Sequence, residues 1–400
     1  MISDLYLSSY EERILKGEYG YAKQKAMEIL VALGDLYGAE KLIPISSAQI
    51  AGVSYTSIGD EGLEWLESLM DGQVEVLSTL NPAGMDLDRW RDMGIPIDYA
   101  SKQIRIIEAY SRLGALPVCT CTPYLSGNLP TYGCHIAWAE SSAVVFANSV
   151  LKAKTNREGG PSALAAAIVG RTPLYGLHLD ENRISNVSIR IEIDLTDTWE
   201  YSVLGFWIGR TLKMDDVPFI EGLKTYDTDR FKAIGASMAS ISSMSIFNAD
   251  VLGDSRPESC EKLSFDRSIL MDTIETLPDT SMDKGCVDIV CLGCPHLSLW
   301  ELKVIANLLR GRRVRKDVNL WLFTSRAVYS VAEKCGIVSE IESVGGKVYR
   351  DACPALAPLS SIGYKVMVTD SLKMWFYGRH LAGLETIFSP TIDCIYVASR

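Results

Sequence analysis

The sequence predicts an α/β protein made of several lobes, each with a mostly parallel β-sheet covered by helices. Apolar, strand-like runs alternate with segments of helical periodicity, which is the pattern of parallel sheets. The 400 residues exceed the usual size of one core, and 48% hydrophobic with 22% charged residues is typical of globular chains. Cysteines stand where several strand-like runs end, and ligands at the carboxyl ends of parallel strands can converge in one crevice.

The first elements follow from capping residues and apolar spacing. Ser8 and Glu11 form a capping box before a short helix that Gly17 closes. The next helix ends near Gly38, and its buried face is marked by Ala26, Ile29, Leu30 and Leu33. Strand and helix then alternate in the order strand 41–46 (KLIPIS), helix 63–70, strand 74–79 (VEVLST), a helix with Ile106, Tyr110 and Leu113 on one side, and strand 115–119 (ALPVC).

The alternation weakens between Glu200 and Gly285, where polar sequence with glycines and serines predicts a lobe boundary or an insertion. It resumes with strand 286–293 (CVDIVCLG), helix 299–309, strand 318–323 (VNLWLF), a helix to Cys335, and strands 347–351 (KVYRD) and 365–369 (KVMVT). We therefore predict an N-terminal α/β lobe at residues 1–200, a connecting lobe or insertion at 201–285, and a C-terminal α/β lobe at 286–400.

The charge and the first residues limit the class of partner and the location. A formal charge of -11 and a pI near 5.0 argue against nucleic acid, because phosphate binding relies on clustered Lys and Arg. The start lacks the features of a secretory signal, and no run approaches the roughly 18 apolar residues of a membrane span. We expect a cytoplasmic protein without membrane attachment. There the ten cysteines stay reduced, which favours metal binding or plain buried thiols over disulfides.

Three cysteines, Cys121, Cys294 and Cys353, each stand where an apolar, strand-like run ends. After Cys294, Ser298 with Glu301 predicts a capped helix, whose N-terminus favours the thiolate that binds metal. Three thiolates on a four-iron cluster would leave one iron without a protein ligand. That iron can act as a Lewis acid on a substrate hydroxyl and carboxylate.

A four-cysteine zinc site is the rival arrangement. Cys119 with Cys121 gives a C-x-C and Cys291 with Cys294 gives a C-x-x-C, which together supply four thiolates. Such a site would indicate a non-catalytic zinc-thiolate scaffold, and the C-x-x-C pair alone would suit a redox role. The cysteines without partner spacing are predicted to be plain buried thiols: Cys260, Cys286, Cys335 and Cys394.

Polar groups at strand ends suit a substrate rich in oxygen atoms. Ser46, Ser47, Gly52 and Ser54 follow one predicted strand and Asn81 follows another, although the same residues are common in turns. The sequence has no G-x-S-x-G, no phosphate-binding P-loop and no G-x-G-x-x-G, which argues against serine hydrolases and nucleotide-binding proteins.

Two further positions leave alternatives open. Arg157 and Glu158 precede a Gly-Gly-Pro turn, and Ser162 is predicted to cap the next helix. This block forms either an anion site or a turn held by an ion pair. His296, two residues after Cys294, either hydrogen-bonds a bound carboxylate or cluster sulfide, or caps the turn.

Several blocks of the sequence resemble the aconitase X family. The similarity runs from about Gly17 to Lys373 and is densest before His178. The matching blocks are ILVALGDLYGAEKLIPISSAQIAGVSY, TLNPAGMDL, CTCTPYL, HIAWAESSAVVFANSV, TNREGGPSALAAAIVGRTPLYGLH and LGCPH. Two positions depart from the family pattern: Cys134 stands where an acidic residue is expected, and DSLKMWFY around Lys373 replaces a stretch that contains Asn-Ser-Ala-Lys.

The resemblance implies an aconitase-like fold, with α/β/α lobes around a central iron–sulfur site. It implies a hydro-lyase that dehydrates (R)-5-phosphomevalonate to trans-anhydromevalonate 5-phosphate in an archaeal mevalonate pathway for isoprenoids. The implied cofactor is a [4Fe-4S] cluster, which can be isolated as [3Fe-4S], with Cys121, Cys294 and Cys353 as its ligands. Dehydration of cis-3-hydroxy-L-proline, the activity of bacterial relatives, is the alternative.

The same resemblance implies a substrate site and a partner. The residues that would line the substrate are Gly52, Val53, Ser54, Asn81, Pro82, Glu140, Ser141 and Lys373. Arg157 joins them because a guanidinium can hold a carboxylate or a phosphate. Glu140 with Ser141 forms the expected catalytic pair, with Glu140 as an acid or an orienting group. A separate small subunit is expected to supply a swivelling domain and the serine thought to act as the base.

Overall fold

The structure is a computed structural model that describes residues 5–278 and 287–400. It confirms the predicted α/β class, with three parallel sheets of four, four and five strands and one short antiparallel pair. None of the described helices is both long and apolar enough to cross a membrane. Cys286 and the predicted boundary between residues 285 and 286 lie outside the described residues.

Helices and strands are numbered in chain order within the described ranges. The helices are α1 (Ser9–Leu15), α2 (Tyr21–Leu36), α3 (Tyr55–Ser68), α4 (Ile97–Arg112), α5 (Ser141–Ser149), α6 (Gly160–Val169), α7 (Thr198–Thr211), α8 (Thr228–Ile241), α9 (Arg267–Glu275), α10 (Leu299–Leu308), α11 (Arg326–Lys334), α12 (Ile337–Ser343), α13 (Leu372–His380) and α14 (Thr391–Ala398). The strands are β1 (Leu42–Pro44), β2 (Ser47–Ile50), β3 (Leu77–Leu80), β4 (Leu116–Cys119), β5 (Ala137–Trp138), β6 (Arg171–Pro173), β7 (Val187–Ile191), β8 (Pro218–Glu221), β9 (Asn248–Ala249), β10 (Glu261–Phe265), β11 (Ile289–Leu297), β12 (Asn319–Thr324), β13 (Lys347–Arg350), β14 (Val366–Thr369) and β15 (Glu385–Phe388).

The first parallel sheet has the strand order β4-β3-β2-β5. Helix α6 packs on β2 and on α2, while α3 packs on α4. Ile106, Tyr110 and Leu113 of the α4 region are buried in the core of this sheet, as their helical spacing predicts. The capping box of Ser8 and Glu11 at the start of α1 is also confirmed.

The predicted strand 41–46 is shorter than expected and does not join a parallel sheet. Its core, β1, pairs antiparallel with β6 and stays outside the parallel sheet. The chain bends at Ser46, whose N–H donates to the His135 carbonyl (2.9 Å), and β2 then enters the parallel sheet between β3 and β5. Ser47 therefore lies within a buried strand rather than after one, and its hydroxyl accepts a hydrogen bond from Trp138 Nε1 (3.2 Å).

The second parallel sheet has the order β10-β7-β8-β9, and α7 and α8 pack against each other beside it. The segment after Glu200, where the alternation of strand and helix is weak in the sequence, therefore contains regular α/β structure. Helix α7 is buried on most sides, so its apolar residues do not form the stripe that reveals a surface helix. The predicted lobes themselves stay a prediction.

The C-terminal sheet has the order β13-β12-β11-β14-β15, and every residue of β11 is buried. Alternation sends Val290 and Leu292 into one apolar core, and Ile289 and Cys291 into another on the opposite face. A parallel sheet covered on both faces explains the continuous apolar run of this strand. The Ser298–Glu301 capping box that starts α10 is confirmed.

Backbone hydrogen bonds join the first sheet to the C-terminal sheet. The Ala83 N–H donates to the Asp351 carbonyl (2.7 Å), and the Cys353 N–H donates to the Ala83 carbonyl (3.1 Å). These bonds connect the loop after β3 to the loop after β13. The carboxyl ends of the two sheets are thereby held beside each other.

Candidate active site

A cleft of about 200 Å³ lies where the carboxyl ends of the first and C-terminal sheets meet. Three clefts of about 270, 320 and 360 Å³ are larger, but their described lining contains no cysteine. The smaller cleft brings together many of the residues singled out in the sequence: Asn81, Pro82, Cys121, Glu140, Ser141, Arg157, Cys294, Cys353 and Lys373. It is therefore the candidate active site.

Most of these side chains lie just after the ends of strands. Asn81 follows β3 directly, Cys121 lies two residues beyond β4, and Glu140 lies two residues beyond β5. Cys353 lies three residues beyond β13. Parallel strands end on the same edge of a sheet, so residues far apart in sequence meet at that edge.

Cys294 lies inside β11, at an irregularity, rather than beyond the strand end. Regular pairing with β12 runs to Leu292, and it resumes at Leu297 after a register shift. Gly293 has φ +109°, a conformation that favours glycine. A Cβ at that position would lie 2.3 Å from the Phe323 carbonyl oxygen. The tight turn expected at this glycine is thus a local break in the strand.

The three cleft thiols are close enough to influence one another. Burial raises the pKa of Cys121 to about 12, Glu140 and Cys353 also raise it, and Lys373 lowers it. Burial likewise raises the pKa of Cys294 and of Cys353, and at Cys294 the other two thiols add to the effect. Thiolates in this cleft therefore need additional positive charge beside them.

A buried ion pair faces the thiols. Lys373 Nζ hydrogen-bonds Glu140 Oε1 and lies 3.1 Å from Ser141 Oγ. Burial opposes the charge of both groups, but the lysine holds the pKa of Glu140 below its usual range and Glu140 raises the pKa of Lys373. Both groups are therefore charged at neutral pH. This charge state favours Glu140 as an orienting group, and its catalytic role stays a prediction.

Glu140 is fixed at the N-terminus of α5, a helix whose nine residues are all buried. Its carboxylate accepts hydrogen bonds from the N–H (3.2 Å) and the hydroxyl (2.9 Å) of Ser142. An anion at a helix N-terminus is favoured by the helix dipole. The carboxylate therefore has one defined position in the cleft.

Gln49 of β2 links three of the cleft loops and was not among the predicted residues. It is fully buried. Its Oε1 accepts from the Glu140 N–H (3.3 Å), and its Nε2 donates to the Thr120 carbonyl (2.8 Å) and lies 3.4 Å from Asn81 Oδ1. The available signal was an amide side chain within a buried strand, since buried polar groups need partners.

Arg157 lines the cleft and does not pair with Glu158. Its Nη1 donates to the carbonyls of Ala239 (3.0 Å) and Ser242 (3.4 Å) at the end of α8. Glu158 instead accepts from the hydroxyl of Ser162 (2.6 Å). Ser162 lies in the first turn of α6 and helps to cap it, because its hydroxyl accepts from the N–H of the N-cap residue Gly159 (2.9 Å). The ion-paired turn is therefore wrong, and the exposed guanidinium is available to an anion in the cleft.

Gly52, Val53 and Ser54 are not among the residues that line the cleft. Val53 is buried in the core of the first sheet, and Ser54 is the buried N-cap of α3. The Ser54 hydroxyl donates to the carbonyl of Leu356 (3.3 Å), which does line the cleft. Ser54 thus stands behind one wall of the cleft, and contact of the three residues with substrate stays a prediction.

The neighbouring cysteines lie elsewhere. Cys119 and Cys291 are buried outside the cleft, and Cys134 lies 3.3 Å from the Ser46 hydroxyl. Within residues 5–278 and 287–400, no three His, Cys, Asp or Glu side chains are grouped to hold a single metal ion. This spacing disfavours the four-thiolate zinc site.

The fold and the cleft define a class of α/β protein in which three cysteine thiols and a buried ion pair meet at the ends of two parallel sheets. Sequence models described as Aconitase X first, second and third domain match residues 4–181, 185–275 and 287–400. The chain belongs to the aconitase X family.

Relatives with known names match nearly the whole chain. The Phosphomevalonate dehydratase large subunit of Methanothermobacter thermautotrophicus is 45% identical over 98% of this chain and 99% of its own length. The protein of the same name from Methanocaldococcus jannaschii is 46% identical over 96% and 98%. The crystal structure of Thermococcus kodakaraensis aconitase X in its holo-form has a TM-score of 0.91 and 43% identity, and covers 98% of this chain and 100% of that one.

A more distant relative carries a different name. The Cis-3-hydroxy-L-proline dehydratase of Hypocrea jecorina is 34% identical over 98% of this chain, and the match covers 68% of that protein.

An aconitase-like family implies an iron–sulfur cluster, and the cleft fits one. Cysteine thiolates are the usual ligands of such clusters, and three thiols face this cavity. Their pKa values are raised by burial, and the nearby Lys373 is already paired with Glu140. Iron ions would supply the missing positive charge.

Proposed function

We propose that this chain is the catalytic large subunit of a hydro-lyase that converts (R)-5-phosphomevalonate to trans-anhydromevalonate 5-phosphate. One observation carries the proposal: three cysteines and a charged Glu140–Lys373 pair share one cleft, in a chain 45 and 46% identical to two phosphomevalonate dehydratase large subunits. The proposed cofactor is a [4Fe-4S] cluster held by Cys121, Cys294 and Cys353, which becomes [3Fe-4S] when one iron is lost.

The residues of the cleft suit this dehydration. A cluster iron without a protein ligand would supply a Lewis acid for the tertiary hydroxide, which is otherwise a poor leaving group. The proton to be removed lies next to the substrate carboxylate, so positive charge near that carboxylate stabilises the developing negative charge. Lys373 supplies such charge, Glu140 fixes its position, and the Ser141 hydroxyl lies beside it.

The phosphate of the substrate needs a cationic side chain that is not already paired with another group. Arg157 and Lys373 are the cationic side chains that line the described cleft, and Lys373 is bound to Glu140. The guanidinium of Arg157 is held by backbone carbonyls through Nη1 alone. We therefore assign the phosphate to Arg157, because a guanidinium matches the geometry of phosphate oxygens.

A small subunit is the proposed partner. Relatives named large subunit match this chain over almost their whole length, whereas the chain covers 68% of the cis-3-hydroxy-L-proline dehydratase of H. jecorina. We propose that the partner adds the swivelling domain and the serine base. A cytoplasmic location stays a prediction.

The function is tested by anaerobic reconstitution of the chain with its small subunit. Iron and acid-labile sulfide are measured, and conversion of phosphomevalonate is followed by phosphorus NMR. We expect cluster binding and dehydration, and we expect Cys121→Ala to lose both. A complex that holds a full cluster but leaves phosphomevalonate unchanged would contradict the proposal, as would a full cluster in Cys121→Ala.

A substrate and metal panel separates the alternatives. Faster turnover of cis-3-hydroxy-L-proline, which carries no phosphate, would favour that activity instead. Zinc without acid-labile sulfide in anaerobically purified protein would favour the zinc-thiolate scaffold.

A further inference from the structure

His296 contacts three chain segments with its ring and its backbone. Its Nε2 lies 2.7 Å from the Ala352 carbonyl oxygen, and its Nδ1 lies 3.0 Å from Thr120 Oγ1. Its backbone N–H donates to Cys121 Sγ (3.1 Å). The side chain is 1% exposed, so these contacts are shielded from water.

Each contacted segment carries one of the cleft cysteines. Thr120 immediately precedes Cys121, and Ala352 immediately precedes Cys353. His296 itself follows Cys294 by two residues. One imidazole thus connects the loop after β4, the irregular part of β11 and the loop after β13, which belong to two different sheets.

The hydrogen bonds fix the protonation of the ring. A carbonyl oxygen can only accept, so Nε2 carries the proton and Nδ1 accepts from the Thr120 hydroxyl. Both ring nitrogens are used within the protein, which leaves none for a bound carboxylate or a cluster sulfide.

The backbone of His296 is also held. The buried Lys232 donates to the His296 carbonyl (3.1 Å) and pairs with Asp229 (3.1 Å) and Glu301. The Ser298 hydroxyl donates to Asp229 (2.7 Å). The start of α8 therefore anchors the peptide from which the imidazole projects.

We propose that His296 is a positioning residue that holds the three cysteine loops in register for the cluster. The proposal rests on the proposed function, because it takes Cys121, Cys294 and Cys353 as the ligands. Without the imidazole, the loops from the two sheets would lose a direct link. Preorganised ligand loops retain a cluster longer and shield their thiols when the cluster is absent.

Substitution of Thr120 removes its hydrogen bond to His296 and disturbs the packing less than removal of the imidazole would. Thr120→Val removes the donor to Nδ1 and keeps the side-chain shape, whereas Thr120→Ser keeps the hydroxyl. Thr386→Val is the matched control, because Thr386 is a fully buried threonine on β15 whose hydroxyl bonds the Leu384 carbonyl. Urea unfolding of each variant shows whether it folds.

Two measurements are made on each variant. The first is the rate at which a chelator removes iron from the reconstituted chain. The second is the rate at which a thiol reagent labels the three cleft cysteines in the cluster-free chain, read by mass spectrometry. Thr120→Val also removes the contacts of this hydroxyl with the N–H and the hydroxyl of Thr122. We expect it to raise both rates by at least about tenfold, the scale of one lost buried hydrogen bond. Thr120→Ser and Thr386→Val should keep the wild-type rates.

The proposal would be overturned if Thr120→Val shifted urea unfolding as much as Thr386→Val but kept the wild-type rates of iron removal and thiol labelling. The imidazole would then be an ordinary structural contact. Equal rises in Thr120→Val and Thr120→Ser would overturn the proposal too. A wild-type chain that takes up no iron or sulfide would contradict the proposed function instead. The labelling rates would then still decide whether His296 holds the loops together.

Discussion

At the scale of single residues, the Glu140–Lys373 pair makes a direct prediction about stability. Lys373→Met would leave a buried carboxylate without its cation, and should lower the free energy of unfolding by about 3 kcal/mol. The double variant Glu140→Gln with Lys373→Met should cost less than the sum of the single variants, because it buries no unpaired charge. Urea unfolding of the cluster-free chain measures all three; additive costs would show that the two groups are not coupled.

Arg157 makes the second prediction at this scale. If its guanidinium holds the substrate phosphate, Arg157→Gln should raise the KM for phosphomevalonate by about 10- to 100-fold and change kcat less. Arg157→Lys should recover part of the loss, since it keeps the charge without the two-point geometry. Inhibition by inorganic phosphate should weaken in parallel. Unchanged phosphate inhibition in Arg157→Gln would show that the side chain binds a different group.

Single residues also show how far the sequence predicts the site. Cys121, Cys294 and Cys353 could be selected because each stands where an apolar run ends, and the cleft brings them together. The links made by Gln49 and His296 could not be predicted in the same way. Their partners lie in segments far away in sequence, so only the packed sheets show that these side chains are shared between loops.

At the scale of elements, alternation of strand and helix predicted most of the first and C-terminal sheets. It misplaced β1, because a run of apolar residues does not tell which strand it pairs with. It also missed α7 and the strands around it, because a helix buried on most sides has no polar face to set its period. Pairing and burial depend on the rest of the molecule, which a local pattern does not contain.

The irregular part of β11 makes a prediction about one glycine. Gly293→Ala combines an unfavourable φ with a Cβ placed 2.3 Å from a backbone oxygen, so it should destabilise the chain by about 2 kcal/mol or more. Gly311→Ala is the matched control, because Gly311 also has positive φ but no atom within 4 Å of the added Cβ. It should cost only about 1 kcal/mol. If urea unfolding showed the same loss of free energy of unfolding for both variants, the backbone of β11 next to Cys294 would be able to shift and accommodate the added Cβ.

At the scale of the whole molecule, the site depends on two sheets, neither of which provides all of its residues. The first sheet contributes Cys121 and Glu140, and the C-terminal part contributes Cys294, Cys353 and Lys373. Hydrogen bonds between the loops after β3 and β13 hold the two edges together. Separate folding of either part would therefore leave an incomplete set of cysteines.

The stability of the whole fold should depend on pH through a buried histidine far from the cysteines in sequence. His178 is 2% exposed, and its Nδ1 lies 3.0 Å from Nδ1 of His135. Burial, with His135 and the cations of Arg183 and Lys154, lowers the pKa of His178 to about 3. In the unfolded chain a histidine has a pKa of about 6.5.

Between these two pKa values the unfolded chain binds a proton that the folded chain does not. The stability contributed by neutral His178 is therefore complete above about pH 6.5 and is lost as the pH falls towards 3, by up to about 1.4 kcal/mol per pH unit. We expect the free energy of unfolding in urea to fall between about pH 6.5 and pH 5. His178→Gln should make this dependence shallower, whereas His380→Gln, at an exposed position on α13, should leave it unchanged. The same slope in wild type and His178→Gln would mean that His178 takes up its proton without unfolding.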